Sequence, residues 1–278
     1  MRILVTGVAG FIGFNFSEFL LKKNYKIIGV DNINDYYSQK LKKDRLKNLK
    51  RYQKFSFYKF DLNNSKNLKK LLNKKFDAVF HFAAQAGVRY SVEHPRKYID
   101  SNVQGFFNVL EFVREKKISK FFYASSSSVY GNSKSFPLKE KSLLYPNNTY
   151  SITKKFNEDL ATVYKNFYKI NLAGLRFFTV YGEWGRPDMF YYKVIDSAFK
   201  KKSLYLNNFG NHSRDFTYIR DVNIILFNLL RKKTKFKNEI FNICSNKPFQ
   251  ILKIVKLVEK YTNKISLKKR KIQKADVL

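Results

Sequence analysis

Cysteine is almost absent: Cys244 is the only one in 278 residues. That excludes a disulfide framework and a cysteine-ligated metal site. Histidine is nearly as scarce, and His81, His94 and His212 stand far apart. Metal centres need clustered donors, so each histidine is read as structural and no metal is expected. No stretch approaches the ~18 successive apolar residues of a transmembrane helix. Met1-Arg2 leads straight into a strand-like run, with no signal-peptide pattern before it. The expectation is a cytoplasmic protein with no membrane span.

Acidic residues are also few. Asp and Glu total 21 against 55 Lys and Arg, a formal net charge of +34. Such a balance can mark a nucleic-acid or anionic-membrane partner. Here lysine greatly outnumbers arginine, and runs such as Lys66-Asn67-Leu68-Lys69-Lys70 and Lys200-Lys201-Lys202 read as solvated faces. Nucleic acid is therefore not the expected partner, although a positive field would help to attract an anionic substrate. The 44% hydrophobic and 17% aromatic content excludes a disordered chain. The length suits one doubly wound domain plus a smaller one.

What is present begins at the first strand. Ile3-Leu4-Val5-Thr6 runs into Gly7, Gly10 and Gly13, spaced G-x-x-G-x-x-G, and a helical pattern follows. Strand, glycine-rich turn and helix in that order open a dinucleotide fold. Gly7 takes the sharp turn. Gly10 lets the backbone approach a pyrophosphate, and Gly13 lets the helix lie close on the strand. The pyrophosphate would meet N–H groups at the helix start, Phe11 and Ile12 included. Lys26-Ile27-Ile28-Gly29-Val30 reads as the next strand. It ends in Asp31, with Asn32 beside it. An acid there bonds the ribose hydroxyls and repels a 2′-phosphate, which favours NAD over NADP.

Further strands are expected at Phe55–Phe60, Asp77–Phe82, Phe121–Ala124 and Leu172–Phe178, alternating with helices. The sheet should be parallel, with its ligand at the C-terminal strand edge. Asp61-Leu62 stands where an adenine could be met by a carboxylate and a backbone N–H. Ala83 and Ala84 are small enough for a cofactor to lie against the main chain. Pro95 suits the first turn of a long helix that carries Asn102 through Val113. The division expected is residues 1–181 for a NAD-binding Rossmann domain and 182–278 for a substrate domain. The second would hold helices near Met189–Phe199, Asp221–Leu230 and Ile251–Tyr261, with short strands at Leu204–Leu206 and Ile240–Ile243.

Tyr150 and Lys154 are four apart and share a helix face. A phenol with pKa near 10 is a poor base at neutral pH, and a nearby ammonium favours the phenolate. Ser126, at the end of the fifth strand, can bond the same substrate oxygen. Tyr as base, Lys as tuner and Ser as orienter suit oxidation of an alcohol by NAD⁺.

These positions together resemble the extended short-chain dehydrogenase/reductase family, and within it the nucleotide-sugar 4-epimerases. The glycine triplet, Asp31, Asp61-Leu62, Asn102, Ser126, Tyr150 and Lys154 match one by one. His81 through Ser91, Tyr181 through Met189, and Arg214-Asp215-Phe216-Thr217-Tyr218-Ile219 are similar to UDP-glucuronate 4-epimerases. The resemblance implies an α/β Rossmann-type fold and NAD as cofactor. It implies a UDP-sugar pocket that includes Arg89, Ser127 and Ser128, in which Thr179 and Arg186 face the sugar and Arg214 holds the UDP. It also implies a homodimer joined through helices of the first domain.

Relatives that dehydrate or decarboxylate their sugars carry carboxylates matching Ser127-Ser128. Only hydroxyls stand here, which favours epimerisation through a transient 4-keto sugar. UDP-glucose or UDP-N-acetylhexosamine 4-epimerisation is the alternative within the family. Outside it stands a catalytically weak NAD-binding protein with a basic anion-binding surface. The resemblance further implies that Ile272-Gln273-Lys274-Ala275-Asp276-Val277 opens a block continuing in relatives, so weak turnover is expected of this chain.

Overall fold

The structure, a computed structural model, describes residues 1–133, 135–236 and 239–271. The segment expected to open a further block, 272–277, lies outside the described residues.

In chain order the strands are β1 (Arg2–Thr6), β2 (Lys26–Asp31), β3 (Phe55–Lys59), β4 (Ala78–His81), β5 (Phe121–Ser126), β6 (Leu172–Phe177), β7 (Thr179–Tyr181), β8 (Leu204–Leu206), β9 (Ser213–Tyr218), β10 (Ile240–Ile243), β11 (Pro248–Gln250) and β12 (Leu267–Lys269). Among the described residues the central sheet has seven strands in the order β10-β6-β5-β4-β1-β2-β3. All its pairings are parallel. β2 lies on one side of β1 and β4 on the other. The winding direction therefore reverses at β1/β4, and the crevice beyond their C-terminal ends is the place for a ligand.

The apolar strands need cover on both faces. α1 (Phe11–Lys22) and α2 (Gln39–Leu49) follow β1 and β2. α3 (Tyr90–Glu93), α4 (Pro95–Tyr98) and α5 (Gly105–Glu115) follow β4, and α6 (Thr149–Tyr168) precedes β6. α7 (Phe190–Lys200), α8 (Ile219–Arg231) and α9 (Ile251–Tyr261) belong to the second half. Alternate residues of β1 enter different cores. Ile3 and Val5 join Phe14, Phe16 and Leu20 of α1, whereas Leu4 joins Phe106, Val109 and Ala161 of α5 and α6. No described helix is long and apolar enough to cross a membrane.

Between β3 and β4, Ser65–Leu71 winds as a 3₁₀ segment. Two expectations need correction. Pro95 does sit in a first turn, but the long helix is interrupted by a π segment, Ile99–Gln104, before α5 begins. More consequential, Ile240–Ile243 is not a small-domain strand. β10 pairs in parallel with β6, Phe241 opposite Leu175. α8 likewise buries Val222, Leu226 and Leu230 in the core that α1 fills. Past residue 181 the chain thus returns to finish the first sheet and cover its face. What remains separate is smaller: β7, β9 and β11 form one sheet, β8 and β12 another. Val194, Ala198, Leu204, Leu206, Val255 and Ile265 make the core there.

Phe80 is fully buried at the centre of the main sheet and stacks on Phe122, ring centroids 4.4 Å apart. Phe80→Ala should cost about 3–5 kcal/mol, read from the urea unfolding midpoint. A loss below ~1 kcal/mol would mean that the core collapses around the gap.

Candidate active site

The glycine turn is shaped by close backbone approach. Gly7 has φ +70°, and a Cβ there would lie 2.6 Å from the Ala83 nitrogen. A Cβ on Gly13 would lie 2.3 Å from the Gly7 carbonyl oxygen, which is why α1 can rest on β1. Gly10 caps α1 with extended backbone and offers no side chain to its N–H groups. The turn can therefore present amides to a pyrophosphate. Asp31 supports it from β2: one carboxylate oxygen accepts from Ala9 N (3.0 Å), the other from Ile33 N (2.8 Å). Burial pushes this carboxyl up, while the two amides and the nearby Lys42 and Arg45 oppose the rise. Asn32 donates to Asp61 Oδ2 at 2.7 Å, which links two strand ends. His81 lies below, bonded to Thr6 Oγ1 at 2.8 Å. Burial pushes its pKa down to about 3, so the imidazole is neutral.

α6 positions the chemistry. Its start is fixed by a capping box: Asn148 accepts from Ser151 N at 2.9 Å, and the Ser151 hydroxyl accepts from Asn148 N at 3.2 Å. Tyr150 and Lys154 follow within the first turns. Lys154 Nζ lies 5.9 Å from the Tyr150 ring centre and donates to the Ala124 carbonyl at 2.8 Å. Ser126 ends β5, where its hydroxyl accepts from Ser128 N at 3.2 Å. Burial raises the Tyr150 pKa; a hydrogen bond with Ser126 and the charge of Arg186 counter it. Lys154 stands beside the phenol. Its ammonium is turned to β5, and burial pushes its own pKa down to about 8 against the pull of Glu158.

One cleft of about 1570 Å³ runs from the glycine turn to the second half. Its wall includes every candidate residue named above except Asn102. Asn102 is 1% exposed. Its side chain accepts from Gln85 N (2.7 Å) and donates to Gln85 O (3.0 Å) and to Thr153 Oγ1 (3.2 Å). With its amide so engaged, it pins the loop after β4 to α6 and does not itself face the cleft. Arg186 is on the wall but already paired with Asp188, at 3.0 and 2.7 Å. Tyr36 also donates to Asp188, at 3.1 Å.

Sequence reading missed several wall residues. Lys42 was hidden in a helix that reads as solvated lysines. It is 5% exposed, and its Nζ donates to the Asn34 carbonyl at 2.7 Å. Burial brings its pKa down to about 8. The only available signal was spacing: 42, 45/46 and 49 recur at helical period on one face. Arg270 follows β12, lies over the Tyr205 ring at 3.6 Å and also lines the cleft.

A parallel doubly wound sheet with a glycine turn at its switch point, and a phenol, an ammonium and a hydroxyl beside it, defines a dinucleotide-dependent enzyme. Proton transfer at an alcohol can there be paired with hydride transfer. Residues 3–244 match the NAD dependent epimerase/dehydratase family, and the chain belongs to that family. The chain is 41% identical over 289 residues to protein CapI of Staphylococcus aureus, covering 98% of this chain and 85% of that one. It is 40% identical over 266 residues to a UDP-glucuronate 4-epimerase of Thermodesulfobacterium geofontis, covering 94% and 80%. Among solved structures, UDP-glucuronic acid 4-epimerase from Bacillus cereus, in complex with UDP-glucuronic acid and NAD, superposes with TM-score 0.91. It is 34% identical, with 98% of this chain and 87% of that chain covered.

Lys154 gives a pH test. Its pKa is lower folded, about 8, than its ordinary 10.5. The unfolded chain thus binds the extra proton between those values, and stability must rise with pH there. Wild type should gain stability relative to Lys154→Met between pH 8 and pH 10, measured by urea unfolding. A constant difference would mean that Lys154 is not desolvated.

Proposed function

We propose that the protein is an NAD-dependent 4-epimerase that interconverts UDP-glucuronate and UDP-galacturonate. The observation that carries this is the Tyr150 phenol in one cleft with Ser126 and buried Lys154, with hydroxyls alone at positions 126–128. The residues fit NAD: Cβ atoms at Gly7 and Gly13 would collide with backbone, and no side chain caps the amide-rich start of α1. Asp31 and Asn32 stand at the end of β2 for the adenosine ribose, and Asp61 and Leu62 for the adenine. When bound, NAD supplies the acceptor and later the donor of the sugar C4 hydride.

Tyr150 takes the proton of the C4 hydroxyl and returns it after the sugar has turned over. Ser126 orients that oxygen. Lys154 contributes positive charge beneath the phenol and a donor for the nicotinamide ribose. Ser127, Ser128, Thr179 and Arg186 meet the C5 carboxylate. A 4-keto uronate is a β-keto acid, prone to lose CO₂ when its C5–C6 bond aligns with the ketone π system. Hydroxyls that grip the carboxylate would hold that bond out of alignment, and no further acid or base is present at 127–128 to divert the intermediate. Arg89 and Arg214 face the UDP. We also infer a homodimer across α5 and α6, because Ile152, Phe156, Val163 and Phe167 form an exposed stripe along α6 with Phe107 of α5 also exposed. Sedimentation should give twice the chain mass; a monomer at micromolar concentration would reject it.

Incubation of UDP-glucuronate with purified protein and NAD, followed by NMR, should show UDP-galacturonate. Turnover of UDP-glucose or a UDP-N-acetylhexosamine instead would select the alternative substrate. Tyr150→Phe removes one hydroxyl and little shape. It should lower the rate by roughly 10²–10⁴ while UDP-sugar binding persists. A variant that retains more than about a tenth of the rate would exclude Tyr150 as the base.

A further inference from the structure

α2 reads as a basic, solvated helix, yet Arg45 within it is 0% exposed. Its guanidinium meets three separate segments. One nitrogen donates to the Ala9 carbonyl inside the glycine turn (2.8 Å) and to the Tyr37 hydroxyl (2.7 Å). The other donates to the carbonyls of Trp184 and Gly185, the latter at 3.2 Å. These acceptors are neutral. A buried charge with no carboxylate bonded to it is costly, and an apolar side chain would fill the volume at lower cost.

The geometry gives that cost a purpose. Ala9 lies between Gly7 and Gly10, where a dianionic pyrophosphate would sit. Trp184 and Gly185 immediately precede Arg186. Trp184 has φ +61°, a strained value for a bulky residue. The loop is further tied to α1, since Asn15 donates to the Glu183 carbonyl at 3.2 Å and Phe14 meets the Trp184 ring edge-on at 5.3 Å. Only a planar fork with several fixed donors can hold carbonyls of both loops at once.

We propose that Arg45 is a positioning residue that couples the two halves of the cleft: it fixes the cofactor turn and the sugar-facing loop against each other and places a positive charge behind the pyrophosphate. Cofactor binding then orders the segment that bears Arg186.

Two variants separate the parts of this role. Arg45→Lys keeps the charge and loses the fork; Arg45→Met loses both. For Arg45→Met, NAD should bind roughly tenfold to a hundredfold more weakly, as expected for lost charge-assisted bonds, with a smaller melting-temperature rise on adding NAD. Arg45→Lys should keep most of the NAD affinity but raise KM for UDP-glucuronate with little change in kcat. A role confined to packing would lower the melting temperature equally with and without NAD and leave the NAD increment intact, and that result overturns the proposal. Wild type provides a readout if the variants fail to fold. NAD added to cofactor-stripped protein should slow amide hydrogen exchange at Trp184 and Gly185, and unchanged exchange there overturns it. The KM arm alone rests on the UDP-glucuronate reading. Absence of turnover by wild type would count against that reading, whereas the NAD and exchange arms would still judge Arg45.

Discussion

The constraint on which the rest depends is the distance between two pieces of main chain at the switch point. Gly7 leaves β1 so close to the loop after β4 that a single added carbon would sit inside the Ala83 backbone. Gly13 brings α1 against the same turn. Neither approach is available to a residue with a Cβ. Because the turn is held this low, the start of α1 opens into the crevice between strands and is not buried under it. Asp31 then reaches across to Ala9, so the second strand braces the turn that the first one makes. The dinucleotide site is thus a consequence of backbone packing before any charged side chain is considered.

Cations are carried into this low-dielectric region in different ways. Arg176 is paired bidentately with Glu158 at 2.9 and 2.8 Å and also donates to Tyr130 at 2.8 Å. That arrangement is internally satisfied and stands as a support beneath β5 and α6. Lys154 and Lys42 lean on backbone or amide oxygens, and burial lowers the pKa of both to about 8. Such groups gain when an anionic ligand arrives, since its charge supplies what the protein withholds. The cleft is therefore primed electrostatically for phosphates, whatever the origin of the net charge of +34 on the chain.

The fold was legible wherever local pattern and tertiary role agree. Gly7, Gly13, Asp31, Tyr150 and Lys154 each sit at a fixed offset from a strand or helix end, so spacing alone put them near one cleft. It failed where the partner is distant. Nothing local distinguishes Ile240–Ile243 as the outermost strand of the first sheet, because its neighbour is Leu172–Phe177 and the intervening chain looks like a separate unit. Arg45 and Lys42 lie in a run of basic residues whose inward face is not visible locally: Arg45 meets a loop about 140 positions away, and Lys42 turns back onto Asn34. Asn102 matches a family position, yet its amide is engaged by Gln85 and Thr153. The Ala124 carbonyl accepts from Lys154, an anchor for the ammonium that spacing alone does not show.

The two walls of the cleft are not independent bodies. β7 begins two residues after β6 ends, so Thr179 follows directly from the end of a central-sheet strand. β9 pairs with β7 and leads directly into α8, which packs into the core of α1. β10 then closes the sheet edge beside β6. The chain therefore crosses between the halves repeatedly, and a hinge near residue 181 would have to break the β6–β10 ladder and the α1–α8 contact together. The α1–α8 contact is apolar and buried, so such opening would be expensive. The wall that can yield at lower cost is the one built on α7, α9 and the β8–β12 pair, whose core is small and lies apart from the main sheet. Ser126 and Tyr150 belong to β5 and α6 on the rigid wall, so a bound ligand finds its freedom on the other side.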